Sequence, residues 1–138
     1  MCIRDRKSLG VKVTLTNQEW KVYLDTRREK KYQVSRAGWI GDYLDPSDFM
    51  EQYMSDAGDS NFIHYNNTQY DGLLREAQTE VNQDARMKLF EQAEAIFLND
   101  QPLIPIYHYT HPQMISSKIG GWYDNLLGYN LSRYLTKS

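Results

Sequence analysis

The chain has 138 residues, 41% hydrophobic and 25% charged, which is the balance of one ordinary globular domain. A formal net charge of −2 leaves no basic footprint of the kind nucleic-acid binders carry, and no run of about 18 apolar residues could span a membrane as a helix. The one excess is aromatic: 11 Tyr and 3 Trp suit either a strand-rich core or a surface that faces a ligand.

The opening Met1-Cys2-Ile3-Arg4-Asp5-Arg6 resembles the translated end of a sequencing-library adapter, so residues 1–6 are read as a non-native leader and natural sequence is expected from Lys7. The segment is charged and too short for the apolar region of a signal peptide. It also holds Cys2, the only cysteine, so no disulfide argument applies to the rest. Val11-Lys12-Val13-Thr14-Leu15-Thr16 alternates and is β-branched, predicting a strand. Asn17 is placed to cap a helix with Glu19 in its first turn and Trp20, Tyr23 and Leu24 on its apolar face. Arg28-Glu29-Lys30-Lys31 reads as its solvated end. A second strand is expected over 32–39, and strand, helix, strand in about 30 residues is the size of a βαβ unit with a parallel pair.

Asp45-Pro46-Ser47-Asp48 predicts a turn and a helix start, with a short helix through Phe49 and Met50. Residues 55–61 form a polar loop. Thr68-x-x-Asp71 has the form of a capping box, followed by Tyr70, Leu73, Leu74 and Ala77 at helical spacing. Asp84 opens the clearest helix, whose Leu89, Phe90, Ala93, Ile96 and Phe97 make one apolar stripe, read as core. Residues 102–114 look like a strand interrupted by prolines, hence an edge. Gly120-Gly121 marks a turn, and 126–135 a last short strand. No internal repeat or low-complexity tract is present.

The chemistry concentrates at Arg36-Ala37-Gly38-Trp39-Ile40-Gly41-Asp42-Tyr43-Leu44-Asp45-Pro46. Asp42 stands beside a Gly-Trp pair, and a fixed carboxylate next to flat apolar surface suits a ligand ammonium that has lost its water; equally, Asp42 fits a capping or turn residue before Tyr43. Gly38 permits another backbone to come close. Trp39 suits either the core or the wall of a cleft. Arg27 and Arg36 offer guanidinium forks for a carboxylate, although Asp25 or Glu29 would serve Arg27 as a structural partner. His108 and His111 would point to opposite faces of a strand and lack a third ligand, so no metal is expected. Asp42, Asp45 and Asp48 do not follow the alternate spacing of a calcium loop. No phosphate loop or nucleophile elbow is present, and no cofactor is expected. A hydrolase built on Asp42 with Asp45 or Asp48 is conceivable as acid and base, but nothing supplies a nucleophile, so the chain is not expected to be an enzyme.

The Arg36–Pro46 stretch resembles the RAGW-x-x-DY-x-x-P segment of periplasmic oligopeptide-binding proteins, the solute receptors of ABC peptide importers. Asn17-x-Glu19-Trp20, Asp25-Thr26-Arg27 and Pro102-Leu103-Ile104-Pro105-Ile106-Tyr107 fit the same pattern. The resemblance implies an α/β chain that forms the C-terminal part of a two-lobe periplasmic-binding-protein fold of type II-like form, incomplete without the N-terminal lobe. Residues 7–112 would then belong to the second ligand-binding lobe, and 113–138 would return toward the first. By the same resemblance Asp42 aligns with the aspartate that binds the peptide N-terminus. Gly38 and Trp39 align with positions along the track where an extended ligand pairs through its main chain. Arg36 and Arg27 align with basic residues facing the cleft, Arg36 being placed for the carboxylate of a short peptide. The implied partners are short peptides and a membrane ABC permease complex, with no nucleic acid. The implied state is a full-length monomer in the periplasm or anchored as a cell-envelope lipoprotein. A murein peptide, a dipeptide or a nickel-type ligand is the alternative solute. The 138-residue chain alone is expected to expose apolar surface and to aggregate.

Overall fold

The computed structural model describes residues 10–125 and 127–138. The expected leader, residues 1–6, lies outside them, as does Leu126 at the start of the expected last strand. The chain divides into two compact units, Met1–Ser35 and Arg36–Ser138.

In the first unit, α1 runs over Trp20–Arg28. Its cap is Glu19 rather than Asn17: the Glu19 carboxylate accepts from the Lys21 and Val22 amides at 2.9 and 3.3 Å. A carboxylate there satisfies two orphan N–H groups and also meets the positive end of the helix dipole. Arg27 and Arg28 sit in the last turn, where cations are favoured. Trp20 and Tyr23 stack at 5.3 Å between centroids. The expected strand over 11–16 does not form a ladder among the described residues, and neither does 32–39. The parallel βαβ pair is therefore absent from them, because an alternating run becomes a strand only when another backbone answers its N–H and C=O groups.

In the second unit, α2 (Ser47–Met50) leads through a 3-10 turn at Glu51–Tyr53, and a second such turn follows at Gly58–Ser60. Next come α3 (Thr68–Thr79) and α4 (Gln83–Asp100). The core lies between α3 and α4: Tyr70, Leu74 and Ala77 from one helix, Phe90, Ala93 and Phe97 from the other, closed by Met54 and Tyr65. This is the stripe read from the sequence. Tyr70 and Leu74 are each only 1% exposed, and full burial of one such side chain contributes about 1.5–3 kcal/mol. Tyr65 meets Tyr70 and Phe97 edge-on at 5.2 and 5.0 Å.

The capping box is not used. Asn67 caps α3, its Oδ1 accepting from Gln69 and Tyr70 amides at 3.0 and 3.2 Å. Asp71 is instead buried and accepts from the Ser55 amide at 3.2 Å and from the Ser55 hydroxyl. It thereby ties the polar loop to α3. Asn61 organises that loop, bonding to the Met54 and Tyr65 carbonyls and to the Tyr65 amide. Asn82 caps α4 through the Ala85 amide at 3.0 Å, with Asp84 in the first turn. The helix stops at Gln101, which adopts φ 51° and donates to the Phe97 carbonyl; Pro102 follows, as it commonly does after a left-handed stop.

Residues 102–114 run without strand pairing among the described residues. The chain ends in a two-stranded antiparallel ribbon, β1 (Ile119–Gly120) against β2 (Thr136–Lys137), in register Ile119↔Lys137. Gly121 is required there: φ is +78°, and a Cβ would lie 2.0 Å from the Tyr134 carbonyl oxygen. Within the expected strand 126–135, Ser132–Tyr134 forms a 3-10 turn. The local i→i+3 bond there, Leu135 to Ser132, takes the place of a ladder.

Candidate functional site

Three of the five predicted site residues, Gly38, Trp39 and Asp42, follow one another on a single non-helical segment, with Arg36 at its start. Arg27 lies in the other unit, on α1. Asp25 pairs with Arg28 at 3.2 Å, and Glu29 with Lys31 at 2.7 Å. The Arg27 guanidinium lies 5.7 Å from the Tyr23 ring centroid.

At the upstream end, Arg36 Nη2 donates to the Tyr109 hydroxyl at 2.9 Å. The same tyrosine ring lies against Gly38, where a Cβ would come 3.1 Å from its Cε2. Glycine thus lets the 107–109 stretch approach the backbone. Tyr107 and Tyr109 meet edge-on at 4.9 Å. A hydrogen bond from Tyr109, helped by Arg36, holds the Tyr107 hydroxyl below its ordinary pKa.

Between these ends, Trp39 is 40% exposed and Ile40 is 85% exposed. Trp39 and Tyr43, with Ser47 and Asp48, line a shallow depression of about 250 Å³. Trp39 therefore lines open space rather than a closed core.

The downstream end is fixed by its neighbours. The Asp42 amide donates to Asp48 Oδ2 at 2.8 Å, and Asp48 is only 7% exposed. Gly41 is confined here as well, since a Cβ would meet Asp48 Oδ2 at 3.0 Å and Phe49 Cζ at 3.1 Å. Asp45 Oδ1 accepts the Ser47 amide at 3.0 Å, at the start of α2. It also takes a two-pronged bond from Arg86 on α4, Nη1 to Oδ2 at 2.6 Å and Nη2 to Oδ1 at 2.8 Å. That fork, with the Ser47 amide, holds the Asp45 carboxyl well below the usual range. Of the three aspartates, Asp45 and Asp48 thus have internal duties. The Asp42 carboxylate is exposed and makes no hydrogen bond or ion pair among the described residues.

Of the carboxylates a hydrolase would draw on, Asp45 is gripped by Arg86, which holds its carboxyl below the usual range, and Asp48 accepts the Asp42 amide. No cluster of three His, Cys, Asp or Glu side chains fit to hold a metal occurs among the described residues. Among them, no helix is long and apolar enough to cross a membrane. The sequence reading missed Arg86 and Tyr109. Nothing local marks Arg86, which looks like any exposed residue of a helix first turn. Tyr109 belonged to a run read as an edge strand.

Residues 4–61 match the bacterial extracellular solute-binding proteins, family 5, middle region. The oligopeptide-binding protein OppA of Bacillus subtilis is 41% identical over 105 residues, covering 76% of this chain and 19% of that protein. The chain belongs to this family. The periplasmic murein peptide-binding protein MppA of Escherichia coli is 37% identical over 135 residues, 96% of this chain and 25% of that protein. The chain therefore spans about a fifth to a quarter of the length of these relatives. The crystal structure of Haemophilus influenzae OppA in complex with the peptide RPPGFSPFR superposes with a TM-score of 0.82 at 31% identity, over 97% of this chain and 26% of that one. These neighbours are two-lobe periplasmic-binding-protein folds, so the family and fold class expected from the Arg36–Pro46 stretch hold. The family consists of solute-binding proteins, not enzymes.

Proposed function

We propose that this chain forms part of the ligand-binding lobe of a receptor that delivers short peptides to an ABC importer in the cell envelope, with residues 113–138 returning toward the first lobe. Asp42 receives the peptide α-ammonium, and the 38–42 backbone pairs with the extended peptide as an added strand. Trp39 walls the track, and Arg36 and Arg27 face the cleft, Arg36 toward a ligand carboxylate. The relatives' names supply the ligand class and the periplasmic setting. The observation that carries the reading is the division of labour among three aspartates. Asp45 and Asp48 hold the segment, which leaves an exposed carboxylate at Asp42 on a backbone tied to Asp48. A murein peptide with a free amino end would use the same carboxylate.

The test is calorimetric titration of the complete receptor with free tripeptides to pentapeptides and their N-acetylated counterparts. A hydrogen bond to a charged group is worth about 1.5–3 kcal/mol, so acetylation should weaken binding by about 10- to 100-fold. Asp42→Ala should abolish that difference. Equal affinity for acetylated and free peptides would sink the role assigned to Asp42.

A further inference from the structure

The geometry points to Arg86 as a positioning residue of the ligand site: gripping Asp45 from α4, it sets where the Asp42 carboxylate stands. Arg86 touches no ligand atom in this account. Its role rests on the reading of Asp42 given above and extends it to a residue more than 40 positions downstream.

All three nitrogens of the Arg86 guanidinium are engaged. Nη1 and Nη2 hold both oxygens of Asp45. Nε donates to the Ala77 carbonyl at 3.1 Å, in the last turn of α3, where carbonyls lack intrahelical partners. The plane also rests 4.7 Å from the Phe90 ring centroid, on the core face of α4. A planar fork held at three points has little freedom left, unlike a lysine in the same place. The pair is sheltered, with side chains 18% and 25% exposed, whereas Arg75–Asp56 is 51% and 64% exposed.

The chain of contacts then runs outward. Arg86 fixes Asp45, and Asp45 Oδ1 receives the Ser47 amide and so starts α2. The first turn of α2 supplies Asp48, whose Oδ2 receives the Asp42 amide. Every link is an ionic or backbone hydrogen bond, and the core helices α3 and α4 stand at one end. Asp42 itself has only its backbone to hold it. A displacement of about 1 Å in a supporting group is enough to spoil a charge-assisted contact.

The experiment measures the affinity ratio of free to N-acetylated tripeptide in the complete receptor and in variants. Arg86→Ala should reduce a wild-type ratio of about 10- to 100-fold to about threefold or less, because the ammonium contact is what loosens. Arg86→Lys, which keeps the charge but loses the fork, should fall between. Asp45→Asn keeps the shape and the acceptor for Ser47, and should reproduce most of the loss even if Arg86→Ala fails to fold. Arg75→Ala, which breaks an exposed pair on the same hairpin, should leave the ratio unchanged. A residue that only stabilises the fold would lower the melting temperature, or weaken both peptides equally, without changing the ratio. A ratio preserved in Arg86→Lys and Asp45→Asn overturns the positioning role while leaving Asp42 as the ammonium site. A wild-type ratio near one overturns the reading of Asp42, and the role of Arg86 with it.

Discussion

Replacing Tyr70 by Phe removes one oxygen from the centre of the core and nothing else. The side chain is 1% exposed, and its ring is held between Tyr65 and Phe97 at 5.2 and 5.5 Å, contacts that Phe retains. What disappears is the bond from the Tyr70 hydroxyl to the Met50 carbonyl at 2.7 Å. Burial pushes that hydroxyl far above its ordinary pKa, so it donates at every working pH. The carbonyl at the end of α2, on a half-buried residue, then loses that donor beside a ring that stays buried. Leaving such a group unpaired costs about 1–3 kcal/mol. Tyr65→Phe is the matched control: its hydroxyl donates to Asp100 Oδ2 at 2.7 Å, but Asp100 is exposed and keeps the Asn67 amide at 2.8 Å. Water replaces the lost donor there, so the cost should stay near 0.5 kcal/mol. Urea unfolding of the complete receptor, with unchanged slopes, should therefore place Tyr70→Phe at least about 1 kcal/mol below Tyr65→Phe. Equal costs, or a larger cost for Tyr65→Phe, would refute the claim that burial of the acceptor decides the magnitude. Because Met50 ends the helix that carries Asp48, Tyr70→Phe should also loosen the Asp42 platform.

Acid should dissolve the Asp45 contribution. Its folded carboxyl lies below the ordinary value of 3.8 because of Arg86 first and Ser47 after it; the stabilisation is present above that value and lost as pH falls through the region below it. The stability gap between wild type and Arg86→Ala should accordingly shrink between about pH 6 and about pH 2 in urea titrations, and a gap that widens in acid would contradict this sign. Gly41→Ala forces a methyl to within 3.0 Å of Asp48 Oδ2. Residues 41 and 42 lie outside the α3–α4 core, so displacement of Asp48 should appear chiefly as weaker peptide binding in the complete receptor, with the melting temperature little changed.

The parts legible in the sequence were those held by neighbours close along the chain. The α4 stripe and the α3 face are periodic because one helix packs on the next, and they were read correctly down to Leu74 and Phe97. Asp45-Pro46-Ser47 announced α2 for a similarly local reason. Caps were read less well. Asn17 and Thr68 looked suitable, yet Glu19 and Asn67 took the amides, since several side chains near a helix start compete for the same donors. The strands failed differently. Residues 11–16, 32–39 and 102–114 have the right pattern, but pattern fixes only which face of a strand is apolar, whereas pairing needs a partner at a distance. Arg86 was illegible for the same reason, because its partner is 41 positions away.

The candidate site sits at the boundary between these two regimes, and that placement bears on how it works. From Asp45 onward the backbone is committed: the Ser47 amide goes to Asp45, the Asp42 amide goes to Asp48, and Asp45 is gripped from α4 by Arg86. From Gly38 to Ile40 the backbone takes no part in strand pairing among the described residues, and apolar side chains such as Ile40 stand in the open. A receptor that reads peptides through their main chain needs both halves. An unpaired stretch accepts a new strand without regard to its side chains, while a rigid charge at one end fixes where that strand begins. Asp42 is the residue at which the fixed part meets the open part. On the function proposed above, its carboxylate would set the register of a bound peptide, and loosening the platform should blur register before it abolishes binding.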